Sequence, residues 1–129
     1  MTVIKSISCF ICCIYLLCSC KNPTPGVDPG PSLHNANLVV TTTHLFDTIG
    51  LMDSAVGDAN LKVYDTYRDM ILDENRLYER TTDSIGEGGI EGMNIDFAYV
   101  RAYHPNLGTT YDSTSTPHNT TSFLPILFY

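Results

Sequence analysis

Hydrophobic residues are arranged in two different ways along this chain. Residues 7–17 form an almost unbroken apolar run, preceded by Lys5 and followed by the small residues Ser19 and Cys20. Beyond a polar stretch rich in proline and glycine, apolar residues recur in short segments that alternate with polar ones, as in half-buried strands. We therefore expect an N-terminal targeting segment followed by a β-domain.

Five segments of the C-terminal part have the composition of strands. They are Leu38–Thr43, Ala59–Asp65, Arg76–Thr82, Phe97–Tyr103 and Ser122–Tyr129. The fourth alternates most clearly, because large aromatic residues fall on one face and small residues on the other. Pro125 cannot donate a hydrogen bond to a ladder, so the last strand is predicted to lie at a sheet edge.

The segments between these strands predict turns and connections. Residues 66–75 are predicted to form one helical turn or a crossing between sheets, and Pro105–Pro117 a polar loop. The glycines of Asp83–Gly88, followed by Gly89–Gly92, predict a β-hairpin. Short strands separated by turn signals, without a sustained helical period, predict an all-β fold. The expected architecture is a single antiparallel β-sandwich of the seven-stranded type, transthyretin-like or immunoglobulin-like.

The N-terminal apolar run predicts a cleaved secretory signal over residues 1–19, because it is shorter than the about 20 apolar residues of a membrane-spanning helix. The junction Leu17-Cys18-Ser19-Cys20 resembles the bacterial lipobox, whose cysteine receives diacylglycerol and a fatty acyl chain such as palmitate. All five cysteines lie in this N-terminal part, so Cys20 alone remains after cleavage. Lipid on Cys20 is the predicted membrane anchor. An ordinary cysteine-rich signal peptide is the alternative.

Residues 20–33 are predicted to be the lipidated cysteine and a linker rich in proline and glycine, which leaves 34–129 as the domain. Polyproline II geometry, at about 3.1 Å per residue, would hold that domain roughly 30–40 Å from a bilayer. The residue after the predicted anchor is Lys21 and not Asp, the residue that would indicate retention in the inner membrane. We therefore expect the lipoprotein to be sorted to the outer membrane. We expect the domain to face the periplasm, and exposure at the cell surface is the alternative.

Composition and chemistry narrow the function classes. The chain has 14 Asp and Glu against 7 Lys and Arg, a formal net charge of −7, so nucleic acid is not an expected partner. The domain has no cysteine and no Gly-x-Ser-x-Gly nucleophile motif, and its histidines are far apart in sequence: His34, His44, His104 and His118. Neither a metal, a cofactor nor enzymatic activity is therefore expected.

Four segments, at 59–64, 81–86, 90–93 and 97–103, together resemble the carboxypeptidase regulatory-like domains, which are transthyretin (prealbumin)-type β-sandwiches. The chain looks most like small lipoproteins of this type in Bacteroidota, and a fibronectin type III module is the alternative. The resemblance implies a fold but no activity, because the catalytic residues of the carboxypeptidases lie in a separate domain.

The same lineage implies candidate O-glycosylation sites, at which Asp precedes Ser or Thr and a small or apolar residue. The candidates are Thr48, Ser54, Ser84 and Ser113. Such Asp-Ser pairs also occur in ordinary turns, where the side chains hydrogen-bond to the backbone.

Tyrosine combines an apolar ring with a polar tip, as a sugar-binding surface requires. The candidate aromatic surface consists of Tyr64, Tyr78, Tyr99 and Tyr103, with Phe97 beside them. Packing of these rings in the core is the favoured alternative, and the exposure of the rings distinguishes a binding surface from core packing.

The expected function is that of a lipid-anchored, non-enzymatic binding or assembly module of the cell envelope. The alternatives are a carbohydrate-binding accessory lipoprotein and a lipoprotein of an envelope secretion complex.

Overall fold

The computed structural model describes residues 34–47, 49–50 and 52–129. The predicted signal peptide, Cys20, the linker and Thr48 lie outside these residues. The described part contains eight strands and one short helix, in this order: β1 Ala36–Asp47, β2 Met52–Ala55, β3 Asn60–Tyr64, α1 Tyr67–Leu72, β4 Tyr78–Thr81, β5 Glu87–Met93, β6 Phe97–His104, β7 Gly108–Ser115 and β8 Thr121–Phe128. This helix is not long and apolar enough to cross a membrane.

The strands form two four-stranded sheets. In the first, sheet A, β1 pairs in parallel with β8 on one side. On its other side β1 pairs antiparallel with β5 over its first half and with β2 over its second half. In the second, sheet B, the order is β4-β3-β6-β7 and every pair is antiparallel.

The core lies between the two sheets and is built from every second residue of the central strands, as the pleat of a strand requires. Sheet A contributes Leu38, Val40, Leu124, Ile126 and Phe128 to it, and sheet B contributes Leu61, Val63, Ala98, Val100 and Ala102. The predicted all-β sandwich is confirmed. The parallel β1–β8 pair is a departure from a purely antiparallel arrangement.

A buried threonine marks the point where β1 changes its partner from β5 to β2. The Thr42 N–H donates to the Gly86 carbonyl at 2.8 Å, and the Thr42 hydroxyl lies 2.6 Å from the Val56 carbonyl and 3.0 Å from that of Gly86. The Thr82 hydroxyl accepts from the Ala59 N–H at 2.9 Å and donates to the Val56 carbonyl at 3.1 Å. These hydroxyl groups join the two sheets at a place that water does not reach.

The predicted hairpin at 83–92 is wrong, because β4 belongs to sheet B and β5 to sheet A. The turn itself is present: the Asp83 carboxylate accepts from the N–H groups of Ile85 and Glu87, and Gly86 has a φ of +78°. A positive φ suits a crossing between sheets as well as a hairpin. The glycines therefore indicate a turn, but they do not indicate which sheet the following strand joins.

Two further segments differ from the prediction. Most of the predicted loop at 105–117 is strand β7, whose threonines suit an edge strand although few of its side chains are buried. Strand β2 was not predicted, because all four of its residues are exposed and none is part of an apolar alternation. The predicted edge position of the last strand is confirmed: among the described strands, β8 pairs only with β1.

Candidate binding surface on sheet B

The outer face of sheet B carries a group of partly exposed aromatic rings, which we call the aromatic face. Strand β6 contributes Phe97, Tyr99 and Tyr103, β7 contributes Tyr111, and helix α1 contributes Tyr67. The exposed fractions are 40% for Phe97, 48% for Tyr103, 44% for Tyr111 and 61% for Tyr67. The rings of Phe97 and Tyr99 lie 5.0 Å apart between centroids, and Tyr67 meets Tyr99 edge to face at 6.2 Å.

The four predicted tyrosines divide between this face and other positions. Tyr99 and Tyr103 belong to the aromatic face, whereas Tyr64 is fully buried. Tyr78 is half-buried against the core, and its hydroxyl accepts from the Asn94 N–H at 3.0 Å. Sequence reasoning missed Tyr111, which was placed in a loop, and Tyr67, which lies in the segment whose structure was ambiguous.

The expectation that the aromatic stripe of β6 packs in the core is wrong for Phe97 and Tyr103. The small residues of β6, Ala98, Val100 and Ala102, face inward instead. They join one core cluster with large side chains of sheet A, among them Phe128 and Leu38, so little room remains on the inner side of β6.

Asp73 is the centre of a polar cluster beside the aromatic face. It follows the end of α1 in the left-handed conformation, with a φ of 54°. Its carboxylate accepts hydrogen bonds from Lys62 Nζ at 2.8 and 3.0 Å and from the Tyr64 hydroxyl, and it lies 3.2 Å from Arg101 Nη1. Lys62 is therefore paired with an acid.

The ionisation of this cluster is set by those contacts. Hydrogen bonds from Lys62 and Tyr64, with the positive charge of Arg101, lower the pKa of the Asp73 carboxyl. Burial, and the hydrogen bond that the hydroxyl donates to Asp73, raise the pKa of Tyr64. At neutral pH the cluster thus contains a carboxylate, two cations and a neutral phenol. It ties the end of α1 to β3 and β6.

A cavity of about 230 Å³ opens next to this cluster and is lined by Asn60, Lys62, Asp73, Arg101 and Tyr103. The register of sheet B brings the lining together, because Asn60 is paired with Tyr103 and Lys62 with Arg101. The Arg101 guanidinium also lies 5.9 Å from the centroid of the Tyr111 ring, a cation–π arrangement. The site therefore places both hydrogen-bond donors and hydrogen-bond acceptors beside aromatic rings.

The histidines are less isolated in the structure than in the sequence. The rings of His34 and His118 lie 5.5 Å apart, and His44 and His104 line one open cavity of about 280 Å³. In the described part of the chain, no group of three or more metal-ligating side chains is suitable to hold an ion.

The described O-glycosylation candidates lie in different settings. Ser54 is exposed on β2, Ser84 is exposed in the turn before β5, and Ser113 is half-buried on β7. The preceding aspartates also have ordinary turn contacts: Asp112, for example, accepts from the Ser113 N–H at 2.7 Å. Glycosylation at these positions stays a prediction.

No protein-family model matches the chain, and no curated protein matches it. Solved structures do. The TIE protein of Bacillus anthracis has a TM-score of 0.52 and 11% identity over 74% of this chain and 16% of its own. GBS52, the minor pilin of the Gram-positive pathogen Streptococcus agalactiae, has a TM-score of 0.56 and 12% identity over 74% of this chain and 44% of its own. The chain shares their fold. It spans less than half of the length of either protein, and at this identity the likeness extends to the β-sandwich alone.

Proposed function

We propose that this protein is a non-enzymatic binding module of the cell envelope, held on a membrane by lipid on Cys20, and that it binds carbohydrate on the aromatic face. The observation that carries the proposal is the partial exposure of Phe97, Tyr103 and Tyr111 on one side of sheet B. The resemblance to carboxypeptidase regulatory-like lipoproteins supports the envelope location. The shared fold with a minor pilin is compatible with a binding or assembly module.

Carbohydrate suits this face because a sugar ring has apolar C–H surfaces and polar hydroxyl groups. Aromatic rings cover the apolar surfaces, and fixed polar side chains bind the hydroxyls. On sheet B, Tyr111 lies in the same cross-strand row as Lys62 and Arg101, and Tyr103 lies in the next row of the outer face. A ligand that touches the rings therefore also reaches charged donors.

The test is a binding measurement with the full-length protein, purified from membranes in detergent, against a panel of soluble oligosaccharides. Truncation of Tyr103 or Tyr111 to Ala is expected to lower affinity about five- to tenfold through loss of ring contact. Phe123→Ala is the matched control, because Phe123 is a 71% exposed aromatic residue on the opposite sheet. No binding to any oligosaccharide, or equal losses for Tyr103→Ala and Phe123→Ala, would refute the proposal.

Assembly with a second copy of the chain is the second candidate function. It is favoured by the outer face of sheet A, where Phe123, Pro125 and Leu127 of β8 are exposed and uncharged. Strand β8 has no charged side chain, and the acidic residues of sheet A lie on its other strands, so a second copy could pack against β8 through apolar contacts. Light scattering of the full-length protein at increasing concentration tests this, with Phe123→Asp expected to abolish any dimer.

A further inference from the structure

We propose that the cavity beside Asp73 binds the carboxylate of an acidic sugar, so that the glycan recognised on the aromatic face is anionic. This inference rests on the proposed carbohydrate function and adds the class of sugar.

Positive charge is confined to one side of the domain. Five of the basic residues follow residue 33, and all lie on sheet B or on the segment that joins β3 to β4: Lys62, Arg68, Arg76, Arg80 and Arg101. The described strands of sheet A contain charged residues of acidic type alone: Asp47, Asp53, Glu87 and Glu91. Sheet B and the β3–β4 segment also contain six acidic residues: Asp65, Asp69, Asp73, Glu74, Glu79 and Asp112. With the five basic residues their formal charge is −1, against −4 for the strands of sheet A, so an anionic ligand meets less repulsion on sheet B.

Two of those cations line the cavity with only one acid between them. Lys62 and Arg101 are each 23% exposed in their side chains, and both contact Asp73. Arginine has five N–H donors and lysine three, whereas Arg101 forms an ion pair with Asp73, Nη1 to oxygen at 3.2 Å, that does not use all five donors. The guanidinium therefore has donors left for a second carboxylate, which it can bind through two parallel hydrogen bonds.

Two contacts restrain that guanidinium in the unliganded domain. Asp73 holds one edge of it, and the Tyr111 ring lies 5.9 Å from its carbon atom. A side chain restrained in this way loses little conformational entropy when it binds an anion. Arg101 is thus better suited than an unrestrained surface arginine such as Arg68 to recognise a ligand carboxylate.

The other side chains of the cavity suit a sugar rather than a simple anion. The Asn60 amide donates to Glu79 at 2.8 Å, which leaves its carbonyl oxygen as an acceptor for a hydroxyl group. Tyr103, opposite Asn60 in the register, offers an exposed ring. The cavity, about 230 Å³, is below the about 300–1,000 Å³ of drug-sized sites, as expected for one sugar residue of a longer chain.

The experiment compares two probes of equal length, trigalacturonate and the neutral galactotriose, on the full-length protein in detergent by isothermal titration calorimetry. Tighter binding of trigalacturonate is expected. Arg101→Gln should weaken trigalacturonate binding about tenfold, the effect of losing charge-assisted hydrogen bonds, and should weaken galactotriose binding by a clearly smaller factor, because Gln keeps a donor for a hydroxyl group. Arg68→Gln is the matched control, because it removes the same charge outside the cavity. Arg101→Lys should restore part of the loss.

A second variant keeps the inference testable if Arg101→Gln fails to fold. Asp73→Asn removes a negative charge from the cavity and keeps a side-chain oxygen beside Arg101 and Lys62, so the ratio of trigalacturonate affinity to galactotriose affinity should rise, and a ratio that is unchanged or lower overturns the inference. Thermal unfolding of each variant checks its folding.

The outcomes separate this inference from the function on which it rests. Equal affinity for the two probes, together with a loss for Tyr103→Ala, overturns the acidic preference and leaves carbohydrate binding in place. Equal losses for Arg101→Gln and Arg68→Gln also overturn it, because they reduce the effect to general charge. Binding of neither probe, nor of any other oligosaccharide, overturns the proposed function itself.

Discussion

Substitution of Gly86 by Ala should destabilise the domain strongly, because two separate costs coincide at this glycine. Its φ of +78° lies in the left-handed region, which costs an L-residue roughly 1–2 kcal/mol. A Cβ atom would also lie 2.5 Å from the Thr42 carbonyl oxygen and 3.1 Å from the Val56 nitrogen. Both are backbone atoms in the buried hydrogen-bond cluster at Thr42, so neither can move without loosening the junction of β1 with its neighbours.

The second cost is estimated from that displacement. Overpacking a filled interior costs about 1–3 kcal/mol. Together the two terms predict a loss of about 2–5 kcal/mol in the free energy of unfolding, a large part of the about 5–15 kcal/mol that a small domain possesses.

Substitutions at two other glycines measure the conformational cost and the packing cost separately. Gly108 has a φ of +83° with open space around it, so Gly108→Ala should lose only the conformational part, about 1–2 kcal/mol. Gly89 has neither a positive φ nor a neighbour within 4 Å, and Gly89→Ala should stay within about 0.5 kcal/mol of the parent. Urea unfolding followed by circular dichroism measures all three. If Gly86→Ala lost no more than Gly108→Ala, the close contact with Thr42 would carry no energetic weight and the reasoning would be refuted.

Two further predictions concern Asp73 and Cys20. Asp73→Ala leaves the buried Tyr64 hydroxyl without an acceptor and should cost about 1–3 kcal/mol in urea unfolding, more than Asp73→Asn, which retains one. Because the pKa of Asp73 is lowered on folding, its contribution is present above the unfolded pKa of about 3.9 and is lost as pH falls through the lower folded value. The stability gap between the parent and Asp73→Asn should therefore close in acid, and a gap that widened instead would contradict the assignment. For Cys20, intact-mass analysis of the membrane-extracted protein should show acyl chains that Cys20→Ala lacks, and an unlipidated parent protein would remove the anchor from the proposal.

The parts of the fold that follow from local pattern were predictable. Strands β3 and β6 alternate with period two, and their observed ends lie within about a residue of the predicted ones. Strand β7 was not predicted because Ser and Thr occur on both of its faces. Strand β2 was not predicted because none of its residues is buried. The turn at Gly86 was recognisable from its glycines, but the sheet that the chain enters afterwards depends on partners distant in sequence.

The candidate site shows the same division. Period-two alternation placed Tyr99 and Tyr103 on one face, yet it could not say whether that face was inner or outer. That choice depends on the side from which sheet A packs. The contact of Asp73 with Arg101 joins residues far apart in sequence and depends on a left-handed residue at the end of α1. No local signal in the sequence indicates such a contact.

The parallel pairing of β1 with β8 has a mechanical consequence. A force along the axis of β1 acts on all of its ladder contacts with β8, which extend from Asn37 to His44. Such a force is shared among the hydrogen bonds of the β1–β8 ladder and those of the β1–β5 ladder on the other side of β1. The hydrogen bonds then resist together, whereas a force across the strands would break them one at a time from one end. A strand held in this way resists shear. If Cys20 carries the proposed lipid anchor, a domain held in this way would stay folded when a ligand on the aromatic face pulls against that anchor.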